Sequence, residues 1–368
     1  GAEMGRTAVF AAALLLVQAS SAPSRPQRRP LPFLRGIATL QVLDQFKVKL
    51  ALANIELSTG LGTIDLRTTW VQQNCINALS DSCNGAVFAR SEGYDLVMPN
   101  GSSVECSEMS WTKVLVPRDG GHAGVSSTSA QIPHSVAVAG VNESFVAGID
   151  RAGMALSYVA MDPTDGTTLV PPGMRRISEL VYGIQACSAV VDADAEYMYL
   201  DVSAKAPGSF EPSSVTMAVS LADPSAQAPL LPTPAGMPDN RTAAIHVIVR
   251  DETTGKLWGV GVAHQRDVHI CEMPTPLPGA GAGTRPAPLT AANFSSGSCN
   301  PKPTLSFADV DMTGSGQRYL HAKDGFLYGV AYQPEPESPS AAFVIDLESA
   351  QLISRRRIAW RCGGPLGT

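Results

Sequence analysis

A short pattern recurs along this chain: an apolar strand, an acidic residue, three further residues, a glycine and a second apolar strand. Its clearest copy is VIVRDETTGKLWGV, residues 247–260. Asp251 and the threonines there can hydrogen-bond to nearby backbone, and Gly255 can adopt the positive φ that closes a bulged hairpin. Further copies are YVAMDPTDGTTLV (158–170), FVIDLESAQLI (343–353) and LALANIELSTGLGTIDL (50–66). These stretches predict β-hairpins, with Ala350 in the place of the glycine in one of them.

The remainder of the chain predicts many more short strands. Runs of about four to eight alternating or β-branched residues end in Gly, Pro, Asp or Asn. The hairpin turns lie at multiples of ~48 residues, close to the ~40–50 residues of a propeller blade. Weaker copies lie between them in 86–107, 197–217 and, poorly formed, 288–311. We therefore predict an all-β protein, a β-propeller of seven four-stranded blades, with the 247–260 hairpin as the third and fourth strands of one blade. Six or eight blades and β-sandwich domains are the alternatives.

The turn sequences DPTDGTTL and DETTGKLW resemble the blade turns of quinoprotein/YVTN-type β-propeller repeats, in which a strand ends in Asp-x-x-Thr-Gly. The resemblance covers about residues 45–360 by periodicity and four short segments by motif. It implies that the hairpin turns are architectural and that a functional site lies in the loops between blades. The chain has neither the G-H…W-D marks of WD40 repeats nor the glycine doublets expected of kelch repeats.

Two segments depart from the repeating pattern. Residues 69–79 (TWVQQNCINAL) carry the best amphipathic helical pattern, which predicts a short helix. Residues 37–43 (IATLQVL) form a suitable N-terminal strand. Because the first strand of a propeller often completes the last blade, we expect it to pair beside residues 357–360.

The beginning of the chain is typical of a secretory signal peptide. A basic Met4-Gly-Arg start precedes the apolar run 8–17, and small residues follow up to Ala22. An apolar run of about ten residues is too short for a bilayer, which needs ~20. We expect cleavage before Pro23. The predicted organisation is 1–22, three leading residues plus signal peptide; 23–36, a Pro/Arg-rich linker; and 37–368, a single propeller-like domain.

Glycosylation and cysteine patterns also favour a secreted, extracellular protein. Four N-x-[ST] sequons are candidate glycan sites in surface loops: Asn100, Asn142, Asn240 and Asn293. The seven cysteines include no C-x-x-C pair, which favours disulfides over a zinc ribbon. Cys75–Cys83 and Cys271–Cys299 are the candidate pairs. The odd count leaves one thiol free or bonded to another chain.

Charge and hydropathy exclude several partners. The formal net charge is −6, and the basic runs at 25–29 and 355–357 are short, so no nucleic-acid-binding surface is predicted. No second apolar stretch approaches the length of a membrane span. We expect a soluble monomer.

One stretch resembles a calcium loop of integrin-type propeller blades. In FADVDMTGSGQ (307–317), the side chains of Asp309, Asp311, Thr313 and Ser315 place oxygens at alternate positions. Calcium prefers such hard ligands. The alternative is a set of acidic turn residues at strand ends. No other cofactor is predicted, because G-x-S-x-G, H-E-x-x-H and P-loop motifs are absent. His269 beside Cys271 is interpreted as a core histidine next to a disulfide.

Two functions remain open at this point. The first is a binding or protein-interaction module for an extracellular protein or glycan. The alternative is a propeller enzyme, a metal- or carboxylate-dependent hydrolase or a quinoprotein-like oxidoreductase, with its site in the central channel. Acidic residues at the ends of strands could form a ring in this channel: Asp150, Asp192, Asp239 and Asp309. An enzyme should bring acids or histidines with perturbed pKa values together at one end of the channel, whereas a binding module should present an exposed apolar patch.

Overall fold

The computed structural model describes many separate segments of the chain. These are residues 11–16, 28–42, 47–73, 86–89, 93–101, 109–117, 124–132, 136–141, 146–150, 156–161, 175–178, 181–192, 197–205, 212–220, 231, 234–236, 244–263, 267–277, 292, 294–300, 302–306, 319–331 and 341–363.

The regular elements of these residues are all β-strands, which confirms the predicted all-β class. The first half contains β1 (Ala11–Leu16), β2 (Phe33–Val42), β3 (Lys47–Glu56), β4 (Leu61–Gln73), β5 (Ala86–Ala89), β6 (Gly93–Gly101), β7 (Met109–Pro117), β8 (Gly124–Ile132), β9 (Val136–Val141), β10 (Val146–Asp150), β11 (Leu156–Met161) and β12 (Arg175–Ser178). The second half contains β13 (Val181–Asp192), β14 (Tyr197–Lys205), β15 (Pro212–Ser220), β16 (Ala244–Arg250), β17 (Leu257–Ala263), β18 (Asp267–Glu272), β19 (Ser298–Cys299), β20 (Leu305–Ser306), β21 (Tyr319–Lys323), β22 (Phe326–Ala331), β23 (Ala341–Asp346), β24 (Gln351–Arg357) and β25 (Ala359–Gly363).

These strands form six sheets in the described residues, where the sequence predicts seven blades. In strand order the sheets are β1-β2-β3-β4-β25, β5 to β8, β9 to β12, β13 to β15, β16 to β19 with β20 on β18, and β21 to β24. Neighbouring strands run antiparallel, except that β25 pairs with β4 in parallel. The first strand of each sheet lies beside the first strand of the next, in the order β1, β5, β9, β13, β16 and β21, and β21 also lies beside β1.

The core lies between the faces of neighbouring sheets. In the sixth sheet, Leu327 and Phe343 pack with residues of the fifth sheet, whereas Tyr328 and Val344 pack with Leu34 and other residues of the first sheet. Because successive residues of a strand point to opposite faces, a sheet that is covered on both sides needs apolar residues at consecutive positions. This explains the unbroken apolar runs FLYGVA and AAFVI in β22 and β23.

The hairpin of residues 247–260 forms as predicted, but in a different place within its sheet. It joins β16 and β17, the first two strands of the fifth sheet, rather than a third and a fourth strand. Gly255 has the predicted positive φ of 72°. The copies at 343–353 and 50–66 form β23–β24 and β3–β4. In the 158–170 copy, the turn lies outside the described residues, and β11 pairs with β12 at 175–178.

Three local predictions differ from the structure. Residues 69–73 extend strand β4 and pair with β3, so this part of the predicted helix is wrong; the cross-strand partner of Trp70 is Leu50. Strand β6 runs through Asn100, which was predicted to lie in a surface loop. Residues 33–36 of the predicted linker belong to β2, and Leu34 is fully buried. The copy at 197–217 does form a hairpin, β14–β15.

The two ends of the chain do meet in one sheet, but not as predicted. Strand β2, which contains most of the 37–43 segment, pairs with β1 and β3 and not with residues 357–360. Instead β25, at the end of the described chain, joins the first sheet beside β4. Gly60 lies at this junction, and its carbonyl accepts a hydrogen bond from the Ala359 N–H at 3.0 Å.

Ala350 carries backbone strain that a single substitution can remove. Its φ is 51°, in the left-handed region that disfavours residues with a Cβ. We expect Ala350→Gly to raise the free energy of unfolding by about 0.5–1 kcal/mol, since strain relief outweighs the extra chain entropy of the unfolded state. Urea unfolding measures this change. Ala342→Gly, in a buried strand position, is the control and should lower stability. A loss of stability in both variants would contradict the prediction.

Candidate functional site

The turn after β16 is fixed to the neighbouring sheet by Asp251. Its side chain is fully buried. Oδ1 accepts the N–H groups of Thr253 and Thr254, both at 2.9 Å, and Oδ2 accepts the Gly325 N–H at 2.7 Å. The N–H of Glu252 donates to the Ala322 carbonyl at 3.1 Å. The acidic residue of the repeated pattern therefore joins two sheets as well as closing its own hairpin.

This attachment holds Glu252 against the first strand of the sixth sheet. Alternation along β21 puts His321 and Lys323 on one face, whereas Ala322 packs into the core on the other. Lys323 Nζ donates to Glu252 Oε2 at 3.4 Å. His321 Nε2 lies 3.8 Å from Glu252 Oε1. The side chains of His321 and Lys323 are 11% and 6% exposed, and that of Glu252 is 43% exposed. The carboxylate thus reaches solvent while its two partners lie beneath it.

Burial perturbs the proton affinities of this cluster. Desolvation raises the pKa of Glu252 above its ordinary value, and the nearby charge of Lys323 opposes this effect. Desolvation, assisted by the Lys323 ammonium, lowers the pKa of His321 from 6.5 to about 4. At neutral pH, His321 is therefore an uncharged imidazole. Perturbed pKa values of neighbouring groups, here beside a buried ammonium, mark a candidate functional site.

The edge of the cluster is built by the hairpin turn after β21. Asp324, with a φ of 54°, and Gly325, with a φ of 80°, form this turn. Thr253 Oγ1 donates to Asp324 Oδ1 at 2.6 Å, a second link between the two turns. The guanidinium of Arg28 lies over Gly325 and pairs with Glu348 at 2.5 Å. Residues from four parts of the chain therefore surround this end of the fifth and sixth sheets.

The described residues contain no group of three His, Cys, Asp or Glu side chains that could hold a metal ion. The predicted calcium ligands Asp309, Asp311, Thr313 and Ser315 lie outside the described residues. None of the described residues forms a helix long and apolar enough to cross a bilayer.

The other predicted residues are placed apart from this cluster. Cys271 and Cys299 are directly opposite on β18 and β19 and form a disulfide. His269 is buried beside them, with Nδ1 at 2.9 Å from the Asn300 carbonyl oxygen. Asn100 lies within β6, opposite Ser110, rather than in a loop. Of the acidic ring, Asp150 ends β10 and Asp192 ends β13. Several predicted positions are outside the described residues: Cys75, Cys83, Asn142, Asp239, Asn240 and Asn293.

Sequence reasoning missed the cluster because it interpreted the DETTG turn as architecture alone. The signal that could have found it is the segment LHAKDGF, residues 320–326. An Asp-Gly pair between two apolar runs predicts a tight hairpin turn. The strand before that turn carries histidine and lysine at alternate positions, and therefore on one face.

Comparison with known proteins gives only distant likenesses. No family model matches the chain, and no curated protein matches it. Among solved structures, the β-propeller domain of the Trilobed protease from Pyrococcus furiosus has a TM-score of 0.42 and 10% identity, covering 96% of this chain and 87% of that one. The Pyrococcus horikoshii acylaminoacyl peptidase has a TM-score of 0.41 and 10% identity, covering 95% of this chain and 47% of that one. At these values, the likenesses establish neither an activity nor the type of repeat.

Proposed function

We propose that the chain is a six-bladed β-propeller and that each sheet is one blade. The order in which β5, β9, β13, β16 and β21 adjoin supports this arrangement. Without β1, the first sheet still adjoins the second through β4 and β6 and the sixth through Leu34 and Tyr328. The pairing of β25 with β4 supports closure by the C-terminal strand. If the signal peptide is cleaved before Pro23, β1 is lost, and the first blade keeps four strands: β2, β3, β4 and β25.

We propose further that this propeller is a carboxylate-dependent hydrolase, with Glu252 as its general base. The observation that carries the proposal is the cluster of Glu252, His321 and Lys323, assembled from two neighbouring sheets. Glu252 is the solvent-facing member, so a water molecule can reach its carboxylate. Four large apolar side chains are exposed among the described residues: Phe33, Leu277, Leu352 and Ile353. None of them belongs to the turns that form the cluster, which favours the enzyme over a binding module with an apolar patch at this end.

The proposed step is attack of water on an acyl carbon. Glu252 takes the proton as the water oxygen bonds to the carbonyl carbon, and the same proton then passes to the leaving oxygen or nitrogen. The buried Lys323 ammonium lies beneath the carboxylate, orients it through the Nζ–Oε2 hydrogen bond and adds positive electrostatic potential at the site. Neutral His321 can donate or accept a hydrogen bond, depending on its tautomer. Asp251 positions Glu252 through the backbone.

A panel of p-nitrophenyl esters, lactones and aminoacyl anilides tests this proposal. We expect turnover of at least one class by the full chain, and about 100-fold lower kcat/KM for Glu252→Gln. Glu272→Gln, an exposed carboxylate on β18 paired with Lys256, is the matched control and should keep full activity. Equal activity of folded Glu252→Gln and the parent protein, or no turnover of any panel member, would contradict the proposed hydrolase activity.

We propose also that the protein is secreted. The Cys271–Cys299 disulfide supports an oxidising compartment, since such bonds persist in secreted proteins and are rare in the cytosol. Expression with its own leader in a eukaryotic host should yield a monomer that begins at Pro23 by N-terminal sequencing. Peptide:N-glycosidase should lower its apparent mass. An intracellular protein of unchanged mass would contradict this part.

A further inference from the structure

Strand β24 is the outer edge of the sixth sheet. It follows β23 in strand order, and β23 is its one ladder partner among the described strands. The N–H and C=O groups along the free side of an edge strand can pair with an additional strand. Native proteins commonly protect such edges with charged residues or bulges, so exposed apolar residues on an edge strand are informative.

Two consecutive large apolar residues are exposed on this edge. Leu352 and Ile353 are 38% and 49% exposed. Regular alternation would bury one of them against a neighbouring sheet. The ladder instead shifts register here: Ile345 is opposite Leu352, and Val344 is opposite Ser354, so Ile353 is an extra residue. Such a bulge re-aims side chains. It explains how both residues remain accessible.

The same strand continues into three arginines, Arg355, Arg356 and Arg357. Arg356 is anchored, since Nε donates to the Ser58 carbonyl at 3.1 Å. Arg357 is exposed. The chain has a formal net charge of −6, so this strand is a local basic site on an acidic protein. The positive charge of these arginines attracts an anionic partner to this strand.

We propose that β24 binds an extended acidic segment of a partner protein by strand addition. The partner strand pairs with the outer edge of β24 at residues 351–354. Its apolar side chains contact Leu352 and Ile353, and a carboxylate of the partner pairs with the exposed Arg357. This mode draws affinity from main-chain hydrogen bonds and specificity from alternate side chains. The inference does not depend on the hydrolase, because β24 lies outside the Glu252 cluster.

Titration with a labelled nine-residue peptide of alternating Val and Glu tests the proposal, with fluorescence anisotropy as the readout. We expect saturable binding to the full chain. Ile353→Asn should weaken it about tenfold, which corresponds to about 1.4 kcal/mol. Leu277→Asn, at an exposed apolar residue on another segment, should leave binding unchanged. Thermal unfolding verifies that each variant is folded.

Two further experiments separate the contribution of charge from that of main-chain pairing. Arg357→Glu should lose the Glu peptide and gain a matched Val/Lys peptide. A Glu peptide with proline at alternate positions, which cannot form a ladder, should not bind. Strand addition would be overturned if the parent protein and Ile353→Asn bound the proline peptide equally well. Equal binding of a sulfated polysaccharide by these two proteins would overturn it as well. Dimerisation of the parent protein through β24 in light scattering would identify a second copy as the occupant and overturn the acidic partner.

Discussion

Asp251→Asn should lower the free energy of unfolding by about 4 kcal/mol. The buried carboxylate accepts three backbone N–H groups, two from its own turn and one from Gly325 in the next sheet. Hydrogen bonds to a charged group contribute about 1.5–3 kcal/mol each and are not additive. The asparagine side chain keeps one acceptor oxygen, but its NH2 group replaces the other and faces a backbone N–H donor. The loss therefore includes an unsatisfied buried N–H as well as the missing bonds.

Asp346→Asn is the matched control for this prediction. Asp346 holds the equivalent position in the β23–β24 hairpin, where Oδ1 accepts the N–H and hydroxyl of Ser349 at 2.8 and 2.9 Å. No bond to a neighbouring sheet is described for it. We expect a loss of about 1 kcal/mol there. Guanidinium unfolding monitored by tryptophan fluorescence gives both values. Similar losses in the two variants would mean that the inter-sheet bond to Gly325 contributes little.

The hairpins could be predicted from the sequence because their determinants are local. An acidic residue that accepts turn N–H groups and a residue with positive φ lie within five positions of one another, as at Asp251 and Gly255. The all-β class follows from the same short-range signals. The position of a hairpin within its sheet, by contrast, is not determined by local sequence. The 247–260 hairpin forms the first two strands of a sheet, whereas the 343–353 hairpin forms the last two, although their sequences follow one pattern.

The candidate site could not be predicted because it depends on the packing of two sheets. Glu252 and His321 are distant in sequence, and the contact between them depends on how the fifth sheet meets the sixth. Trp70 shows the converse problem. Its segment has a helical pattern, but pairing with β3 extends β4 through it. Tertiary pairing thus overrides a local preference.

His321 should make the fold sensitive to acid between pH 6.5 and pH 4. Its pKa falls from 6.5 to about 4 on folding, chiefly through burial and then through Lys323. The unfolded chain therefore binds a proton in this range and the folded protein does not. Stability rises with pH wherever the unfolded state binds more protons. The contribution is complete above pH 6.5 and is lost as pH falls to 4. At about 1.4 kcal/mol for each tenfold change in proton affinity, it amounts to about 3 kcal/mol.

Neighbouring charged groups also affect how the free energy of unfolding changes with pH. Glu252 has a raised pKa in the folded protein, so its contribution has the opposite sign and falls as pH rises above its ordinary value. Asp251 also raises the pKa of His321 slightly, against the dominant effect of burial. These groups remain in a His321→Gln variant, which removes only the imidazole. The difference between the two proteins therefore isolates His321.

Urea unfolding at pH 7 and at pH 4 measures the prediction. The parent protein should lose about 3 kcal/mol more than His321→Gln between these two pH values. Leu327→Ala serves as a second control, because Leu327 is fully buried and packs between the fifth and sixth sheets without titrating. It should be about 2–5 kcal/mol less stable than the parent protein at both pH values and keep the full acid loss. An equal acid loss in His321→Gln would show that the imidazole is hydrated, and the Glu252 cluster would then lack the buried, neutral histidine on which its proton chemistry depends.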